Sequence, residues 1–310
     1  MKKIITFIVI FFTISFLLIT SVEIILRYLG LGTPLIYEKS YQFGYVPSPN
    51  QKLIRFNNKK ITIDDNGFRG SIVTNNPKNK IYFLGDSVTY GGSYIDDDEL
   101  FSNKFCNKIN QYLKKDFSCY NGGVNAYGLE NIIKRYESIK KDKETYVIIT
   151  LIPGNFSRNF VQIESLPYFT KKHTHFLKAT TELSAFYLDI ARAKLRFDEK
   201  KFSLDQKLDD YLEKKIINDL KKLQSLQKID HNLIIIFFPP KQFVLENDSN
   251  KFHKFFFQNI TSEKNSYNLT KFFKLYENIN NLYYDEIHLN SKGHQVVSEL
   301  LFELLKDNFK

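Results

Sequence analysis

Cysteine is scarce in this sequence, and its scarcity excludes one class of site. Only Cys106 and Cys119 occur in 310 residues, and no histidine lies near either of them. Structural zinc sites need clustered cysteines and histidines, so we expect no metal and no other cofactor. We expect two buried thiols, while an oxidising compartment would also allow a Cys106–Cys119 disulfide.

Blocks of like charge are missing as well. The net charge is +10, but the 44 basic residues are scattered among 34 acidic ones. Nucleic-acid binding usually requires a concentrated basic patch or a recognised motif, so we predict no nucleic-acid partner. A scattered basic surplus is compatible with attraction to anionic envelope polymers or lipid headgroups.

Long apolar runs are absent, with one exception at the start of the chain. Ile4–Val22 contains no charged residue over 19 positions, enough to span a hydrocarbon core of roughly 30 Å. Lys2 and Lys3 precede it, so the positive-inside rule leaves the N-terminus in the cytoplasm. A cleaved signal peptide is the alternative, but no A-x-A cleavage site follows. We predict a single-pass anchor within residues 1–30, and a periplasmic or cell-surface location for the remainder.

Residues 31–78 have the composition of a connecting segment. They hold four of the eight prolines and include the loop-like stretch "YQFGYVPSPNQ". Ile61 and Ile63 alternate with polar residues and lead into Asn66-Gly67, a tight-turn signal. We predict a linker with a small β-hairpin.

From residue 79 onward, apolar runs and amphipathic segments alternate. Strands are predicted at "KIYFLG", "FSCYNGG", "TYVIITLIPGN" and "HNLIIIFFPPK", and helices at "DELFSNKFCNKINQYLKK", "LENIIKRYESIKK" and "SKGHQVVSELLFELLKDN". This alternation predicts an α/β fold, with a parallel central sheet covered by helices on both faces. We predict one domain over 79–310, with a charged helical insert at about 160–230.

Polar residues stand where the first of these strands ends. The stretch "GDSVTYGG" puts Ser87 at the carboxyl edge of the sheet, where parallel α/β folds bind their ligands. Gly85 and the Gly91-Gly92 pair leave room for a substrate to approach the backbone. A serine in this position can attack a carbonyl carbon if a base removes its proton.

The remaining groups for such a reaction lie near other strand and helix ends. Asp285 and His288 stand three residues apart before the last helix, so the carboxylate can orient the imidazole toward the serine. The backbone N–H of Ser87, an N–H of the 121–128 loop and the side-chain amide of Asn155 are candidate oxyanion donors.

Together these motifs resemble the SGNH/GDSL hydrolase superfamily over roughly residues 79–310. The resemblance implies a three-layer α/β/α sandwich like that of flavodoxin. It implies the nucleophile Ser87 in "GDSVTYG", the oxyanion residue Asn155 in "PGNF", and the pair Asp285 and His288 in "DEIH".

The sequence departs from the family pattern at two positions. The usual glycine of the second block aligns with Ala126, and Gly123 is the alternative backbone donor. Phe156 replaces the acid that usually follows the asparagine of the third block. Ala126 can still donate its N–H, provided that its backbone does not require glycine.

Four further residues are candidates for the wall of a substrate cleft. Tyr90, Tyr94 and Tyr127 could contact a sugar ring, and core or rim packing is the alternative role for all three. Arg158 could meet an acidic sugar or pair with a surface acid.

The resemblance implies an acyl-group enzyme, because the family includes esterases, lipases, thioesterases and carbohydrate O-acetyl esterases or transferases. The anchor, followed by "GYVPSPNQ" and "NGFRG", resembles membrane-attached members linked to bacterial envelope polysaccharides. We predict a serine esterase that hydrolyses acyl esters, chiefly O-acetyl esters, on cell-envelope glycan. The alternatives are an O-acetyltransferase working with a membrane partner and a non-catalytic glycan-binding scaffold.

Overall fold

The computed structural model describes residues 2–74, 79–166, 168–172, 174–196, 208–245, 250–260 and 265–309. Within these residues the strands form a two-stranded hairpin and an eight-stranded sheet. The hairpin contains β1 (Tyr37–Ser40) and β2 (Gly44–Pro47). The sheet contains β3 (Gln51–Arg55), β4 (Lys59–Ile63), β5 (Arg69–Ile72), β6 (Asn79–Gly85), β7 (Phe117–Gly123), β8 (Thr145–Leu151), β9 (Leu233–Phe237) and β10 (Ser266–Asn268).

The strand order places β6 at the centre of a parallel region. Across the sheet the order is β10-β9-β8-β6-β7-β5-β4-β3. The strands from β10 to β7 pair in parallel, whereas β5, β4 and β3 are antiparallel additions at one edge. Numbered in chain order, the parallel strands follow the flavodoxin-like order, which reverses at β6. The predicted α/β fold is confirmed, although the sheet is mixed and not entirely parallel.

Helices cover both faces of the sheet. They are α1 (Lys2–Tyr28), α2 (Ser87–Tyr90), α3 (Phe101–Leu113), α4 (Leu129–Ser138), α5 (Pro153–Ser157), α6 (Lys178–Arg196), α7 (Asp210–Ile229), α8 (Lys241–Val244), α9 (Lys251–Gln258), α10 (Thr270–Phe273) and α11 (Ser291–Leu305). On one face α3 and α11 pack over Phe83 and Ile148, and on the other α4 and α7 pack over Leu84 and Ile149. Because side chains alternate along a strand, each face has its own apolar core.

The segment between residues 31 and 78 is more than the predicted linker. The predicted hairpin around Asn66-Gly67 is present and joins β4 to β5. However, β5 also pairs with β7, so β3, β4 and β5 extend the central sheet. The sheet therefore begins before the predicted boundary at residue 79. Local sequence could not reveal this, because the pairing depends on a strand about 50 residues further along the chain.

The region predicted as a helical insert, about 160–230, divides into parts with different roles. Its described first part contains a short 3-10 turn, Ile163–Ser165, and a β-bridge between Phe169 and Ile36 before α6 begins. Residues 197–207 lie outside the described residues. The helix α7 packs on β9 and lies between β8 and β9 in the chain, so it is the crossover that two parallel strands require.

Cys106 and Cys119 form a disulfide, so the expectation of two buried thiols was wrong. The bond links α3 to β7, and the two Cα atoms are 6.2 Å apart. The inner face of α3 packs directly on β7, which brings the two side chains together. Sequence alone showed that the pairing was feasible, but not that the two elements would be in contact.

The first helix, α1, stands apart from the two cores. Among the described residues it is the helix that is long and apolar enough to cross a membrane, and its apolar window is not buried by the rest of the chain. A secretion signal would meet the same criterion. Among the described elements it contacts chiefly α6, through Glu23 near its end.

Candidate active site

Ser87 lies where the chain leaves the carboxyl end of β6. Asp86 caps the following helix α2, because its side chain accepts a hydrogen bond from the Val88 N–H at 3.0 Å. Ser87 is partly exposed, whereas the remaining residues of α2 are buried. Because the strand order reverses at β6, Ser87 occupies the edge where such sheets bind ligands.

Ser87, His288 and Asp285 are connected by hydrogen bonds. His288 Nε2 lies 2.7 Å from Ser87 Oγ, and His288 Nδ1 lies 2.7 Å from Asp285 Oδ2. Asp285 and His288 belong to the tight turn before α11, where Asp285 Oδ1 also accepts the backbone N–H of His288 at 2.8 Å. One ring nitrogen therefore faces the carboxylate and the other faces the hydroxyl, as proton transfer from a serine requires.

Asp285 retains its charge at neutral pH. Burial favours the neutral acid, but hydrogen bonds from the His288 side chain and from the backbone N–H groups of His288 and Ile287 outweigh it and lower the pKa of Asp285 to about 2. The resulting carboxylate can stabilise an imidazolium ion on His288.

The turn that follows β7 offers a second backbone donor. Neither the Ser87 N–H nor the Ala126 N–H donates a hydrogen bond within the described part of the chain. The turn is closed by the Tyr127 N–H, which donates to Val124 O at 3.3 Å, and Ala126 has a φ of 64°. Positive φ at the third position is typical of type II turns, where glycine or asparagine normally stands. Ala126 therefore holds a left-handed backbone that glycine would adopt without strain.

Gly123, the alternative donor, has a different role. Its N–H donates to Asn121 Oδ1 at 2.9 Å and is not free for a substrate. A Cβ atom added at Gly123 would lie 2.2 Å from Tyr90 N, closer than any real contact. The glycine thus allows β7 to pack against α2, and Ala126 is the better candidate donor.

Asn155 is fully buried, and its side chain is already hydrogen-bonded. Its Oδ1 accepts the Ile152 N–H at 2.7 Å. Its Nδ2 donates to Asp86 Oδ2 at 3.1 Å and to Tyr127 O at 2.9 Å, so both amide protons have acceptors. Asn155 joins the ends of β6, β7 and β8, and it could stabilise an oxyanion only by exchanging one of these bonds for the substrate.

Arg158 lies near the site but contacts Asp86 and the backbone. Its Nη1 lies 3.3 Å from Asp86 Oδ2 and donates to Tyr127 O at 3.2 Å. The Asp86 side chain is 1% exposed, so its charge needs this cationic partner. The geometry favours support of the turn before Ser87 over the predicted contact with substrate.

Tyr90 and Tyr127 do not line a cleft. Both side chains are completely buried and belong to the apolar core, and the Tyr127 hydroxyl donates to Tyr45 O. The prediction that they contact substrate was wrong, because α2 and the turn after β7 place the two rings inward.

Instead, Tyr94 and Tyr284 stand beside the His288 turn. Their rings stack with centroids 3.8 Å apart, and Tyr284 directly precedes Asp285. Tyr284 is 63% exposed, whereas Tyr94 is partly buried. This burial and the negative charge of Asp285 raise the pKa of the Tyr94 hydroxyl. Sequence analysis did not single out Tyr284, and the tyrosine doublet before "DEIH" was the available signal.

Arg69, from the "NGFRG" stretch, supports the loop that follows α2. It is 1% exposed, and its Nε lies 3.0 Å from Asp97 Oδ1. Its Nη1 donates to Tyr90 O at 2.8 Å and to Gly92 O at 2.6 Å. The antiparallel strand β5 thus places a buried guanidinium against the backbone of Tyr90 and Gly92, shortly after the candidate nucleophile. Sequence analysis did not identify this role.

The groups gathered at this edge of the sheet are suited to acyl transfer. They comprise a hydroxyl, a base, a carboxylate and two free backbone N–H groups, which can attack a carbonyl, accept a proton and stabilise an oxyanion. Across the described residues, no group of three or more histidine, cysteine, aspartate or glutamate side chains is placed to hold a metal ion.

Comparison with known proteins found no matching family model and no matching curated protein. Similar solved structures include a lipase/acylhydrolase from Enterococcus faecalis, with a TM-score of 0.49 and 14% identity over 75% of this chain and 97% of that chain. An acetyl xylan esterase from Geobacillus stearothermophilus has a TM-score of 0.40 and 16% identity over 76% of this chain and 96% of that chain. An esterase from Pseudoalteromonas sp. has a TM-score of 0.40 and 13% identity over 74% and 98% of the two chains. TM-scores below 0.5 are too low for these likenesses to assign an activity to the chain.

Proposed function

We propose that this chain is a membrane-anchored serine ester hydrolase of the SGNH type, with Ser87 as nucleophile, His288 as base and Asp285 as the orienting carboxylate. The observation that carries the proposal is the relay of two 2.7 Å contacts from Ser87 Oγ to Asp285 Oδ2. The serine and histidine are partly exposed, so a substrate can reach them from solvent.

The reaction follows from the positions of the atoms. Ser87 Oγ attacks the ester carbonyl carbon while His288 Nε2 accepts the hydroxyl proton. The carbonyl oxygen becomes an oxyanion, to which the N–H groups of Ser87 and Ala126 donate. His288 then protonates the leaving alcohol, and a water molecule activated by the same histidine releases the acid from the acyl-serine.

We propose O-acyl esters of cell-envelope glycan, chiefly O-acetyl esters, as the substrates. This rests on the motif resemblance, on the anchor and on a net charge of +10 that would favour an anionic envelope surface. Lys2 and Lys3 favour a cytoplasmic N-terminus, with the site on the outer side of the membrane.

The contacts of Glu23 support an uncleaved anchor over a removed signal peptide. Glu23 is 1% exposed, and its carboxylate accepts the N–H groups of Ala179 and Thr180 at 3.0 and 2.9 Å. It also pairs with Arg27 at 2.7 Å. These N–H groups belong to the first turn of α6 and would lose their acceptor if α1 were removed.

The proposal is tested by ester hydrolysis in the full-length protein. Wild type should hydrolyse p-nitrophenyl acetate, and Ser87→Ala should reduce the rate to background because the described site contains no second hydroxyl bonded to His288. Ser225→Ala, an exposed serine on α7, is the matched control and should retain the wild-type rate. Equal rates for wild type and Ser87→Ala would overturn the proposal.

A second measurement separates hydrolysis from transfer. Purified acetylated envelope polysaccharide should release free acetate in a Ser87-dependent manner, with no change when a sugar acceptor is added. Transfer of acetyl to the acceptor without free acetate would instead identify a transferase. Both reactions pass through the same acyl-serine and differ only in whether water or a sugar hydroxyl accepts the acyl group.

A further inference from the structure

A cavity of about 490 Å³ lies beside the candidate site. Small-molecule sites are typically clefts of about 300–1,000 Å³ with mostly apolar walls and a few polar groups. The apolar part of this wall consists of Leu31, Pro34, Leu35, Tyr37, Phe56, Tyr168, Phe169, Leu183 and Tyr187. The polar part consists of Arg55, Ser93, Asn125 and Glu182.

The inner end of this cavity reaches the loops that flank the nucleophile. Ser93 lies in the loop that follows α2, and Asn125 directly precedes Ala126 in the turn after β7. The Asn125 side chain is held in place, because its Nδ2 donates to the Tyr37 hydroxyl at 3.0 Å. A molecule in the cavity would therefore have one end beside the candidate oxyanion donor.

The outer end leads to the end of the anchor helix. A second cavity, of about 360 Å³, shares Leu31 and Phe56 with the first and is also lined by Tyr28 and Leu29. Tyr28 is the last residue of α1. Large apolar side chains are exposed around this end: Tyr28, Leu29, Phe176 and Tyr187. An exposed apolar rim at the end of a membrane-spanning helix suits contact with the bilayer.

The rest of the chain is fixed at this end of α1. Glu23 accepts hydrogen bonds from the first turn of α6, and Glu182 of α6 pairs with Arg55 at 2.7 Å, with both side chains buried. Glu182 also accepts the Gly32 N–H at 2.5 Å. The cavity mouth is therefore held near the membrane surface and is not free to turn away on a flexible linker.

Two polar side chains of the wall, Ser93 and Asn125, indicate the polarity of the guest at the inner end. A hydroxylated group can exchange hydrogen bonds with a hydroxyl and a side-chain amide, whereas a pure hydrocarbon chain cannot.

We propose that the cavity receives a membrane-resident amphiphile, with its hydrocarbon tail on the Leu31 side and a hydroxylated, ester-bearing head on the Asn125 side. This rests on the proposed function, and it specifies the substrate as an O-acylated glycolipid whose tail remains in the bilayer. The tail belongs to the alcohol part of the ester and not to the acyl group that Ser87 removes.

The test compares two substrates that differ only in their tails: 6-O-acetyl methyl glucoside and 6-O-acetyl dodecyl glucoside. With the full-length protein in lipid nanodiscs, kcat/KM should be about tenfold or more higher for the dodecyl compound, mainly through KM, because burial of a few methylenes is sufficient for this factor. Partition into the lipid would also favour the dodecyl compound. A substitution in the cavity wall is therefore needed to separate binding in the cavity from partition.

Leu183→Asp places a charge in the cavity, and Ser184→Asp places the same charge on the exposed neighbouring residue of α6. Leu183→Asp should remove the tail preference and retain p-nitrophenyl acetate hydrolysis, whereas Ser184→Asp should retain both. If Leu183→Asp does not fold, Leu183→Trp can replace it, because the larger side chain occupies part of the cavity without adding a charge. Partition is identical for all variants and cancels in the comparison.

Two results would overturn this inference without affecting the proposed function. One is a tail preference that persists unchanged in the folded Leu183 variant, which would attribute it to partition alone. The other is a Leu183-dependent preference for p-nitrophenyl dodecanoate over p-nitrophenyl acetate, which would place the acyl chain in the cavity. The absence of any esterase activity in the wild-type protein would contradict the proposed function itself. Binding of spin-labelled dodecyl glucoside to wild type but not to Leu183→Asp would then decide the cavity assignment separately.

Discussion

The side-chain amide nitrogen of Asn155 lies 3.1 Å from Oδ2 of Asp86, the residue that precedes the candidate nucleophile. This contact ties the end of β8 to the turn that presents Ser87. Asn155 therefore has a structural task in the unliganded protein in addition to the oxyanion role that its motif implies.

Replacement of Asn155 should affect both stability and catalysis. Asn155→Ala leaves buried polar groups without partners and should lower the free energy of unfolding by about 1–3 kcal/mol. It should also lower kcat, because the turn carrying Ser87 loses a support. Urea unfolding and initial rates on p-nitrophenyl acetate measure the two effects, with exposed Asn159→Ala as the control. An unchanged unfolding free energy combined with a fall in kcat of roughly 10²–10³ would show a pure oxyanion donor and contradict the structural task.

Ala126 should tolerate glycine better than any larger residue. With a φ of 64°, alanine bears a left-handed strain of about 1–2 kcal/mol, and glycine removes it at an entropic cost of about 0.4–1 kcal/mol. Ala126→Gly should therefore be neutral or raise the unfolding free energy by up to about 1.6 kcal/mol, and it should keep esterase activity because the proposed donor is the backbone N–H. Ala126→Val should be destabilising. A Gly variant clearly less stable than wild type in urea would rule out the strained turn.

Arg69 should be irreplaceable by lysine. Its guanidinium bonds Asp97 and three backbone carbonyls, those of Tyr90, Gly92 and Ile95, and a lysine ammonium cannot reproduce this planar fork. Arg69→Lys should be less harmful than Arg69→Gln, which leaves the buried Asp97 carboxylate without its cationic partner and should lower stability by about 3–5 kcal/mol. Thermal unfolding compares both with Lys60→Gln, an exposed change on the neighbouring β4. Wild-type melting temperatures for both Arg69 variants would contradict the role assigned to this residue.

His294 should make the protein sensitive to mild acid. Its Nδ1 accepts the Phe101 N–H at 3.1 Å, and burial and the nearby charge of Arg69 lower the pKa of His294 to about 3. The unfolded chain protonates this histidine near its ordinary pKa of 6.5 and the folded chain does not, so stability should fall as pH decreases from about 6.5 toward 3, by up to roughly 1.4 kcal/mol per pH unit.

His294→Gln removes the titrating ring but leaves a side chain that can accept a hydrogen bond. The unfolding free energy of this variant, measured in urea between pH 7 and pH 4, should depend on pH less steeply than that of wild type. Parallel pH profiles for the two proteins would show that His294 does not contribute to acid sensitivity.

The parts of the site that sequence analysis found are those that local motifs place at strand ends. Ser87, Asn155 and the loop containing Ala126 follow parallel strands, whose carboxyl ends meet at one edge of the sheet whatever the details of packing. His288 and Asp285 were found because a short turn before a helix makes their side chains converge.

The parts that sequence analysis missed depend on tertiary contacts. Arg69 reaches the loop after α2 only because β5 pairs with β7, and nothing local to "NGFRG" indicates that pairing. Tyr90 is of a residue type that often lines clefts, but its side chain is buried in the core. Cys106 can bond to Cys119 only because α3 packs on β7. Such contacts depend on which helices and strands pack together, and a single sequence contains little information about that packing.

The catalytic role of Ser87 can be tested by active-site labelling of the full-length protein with a fluorophosphonate, followed by peptide mapping in a mass spectrometer. We predict a single adduct on Ser87, none in Ser87→Ala, and much slower labelling in His288→Ala, because the hydroxyl then lacks its base. Ser225→Ala should be labelled like wild type. An unlabelled Ser87 in folded wild type, or equal labelling rates in wild type and His288→Ala, would contradict the claim that Ser87 is a histidine-activated nucleophile.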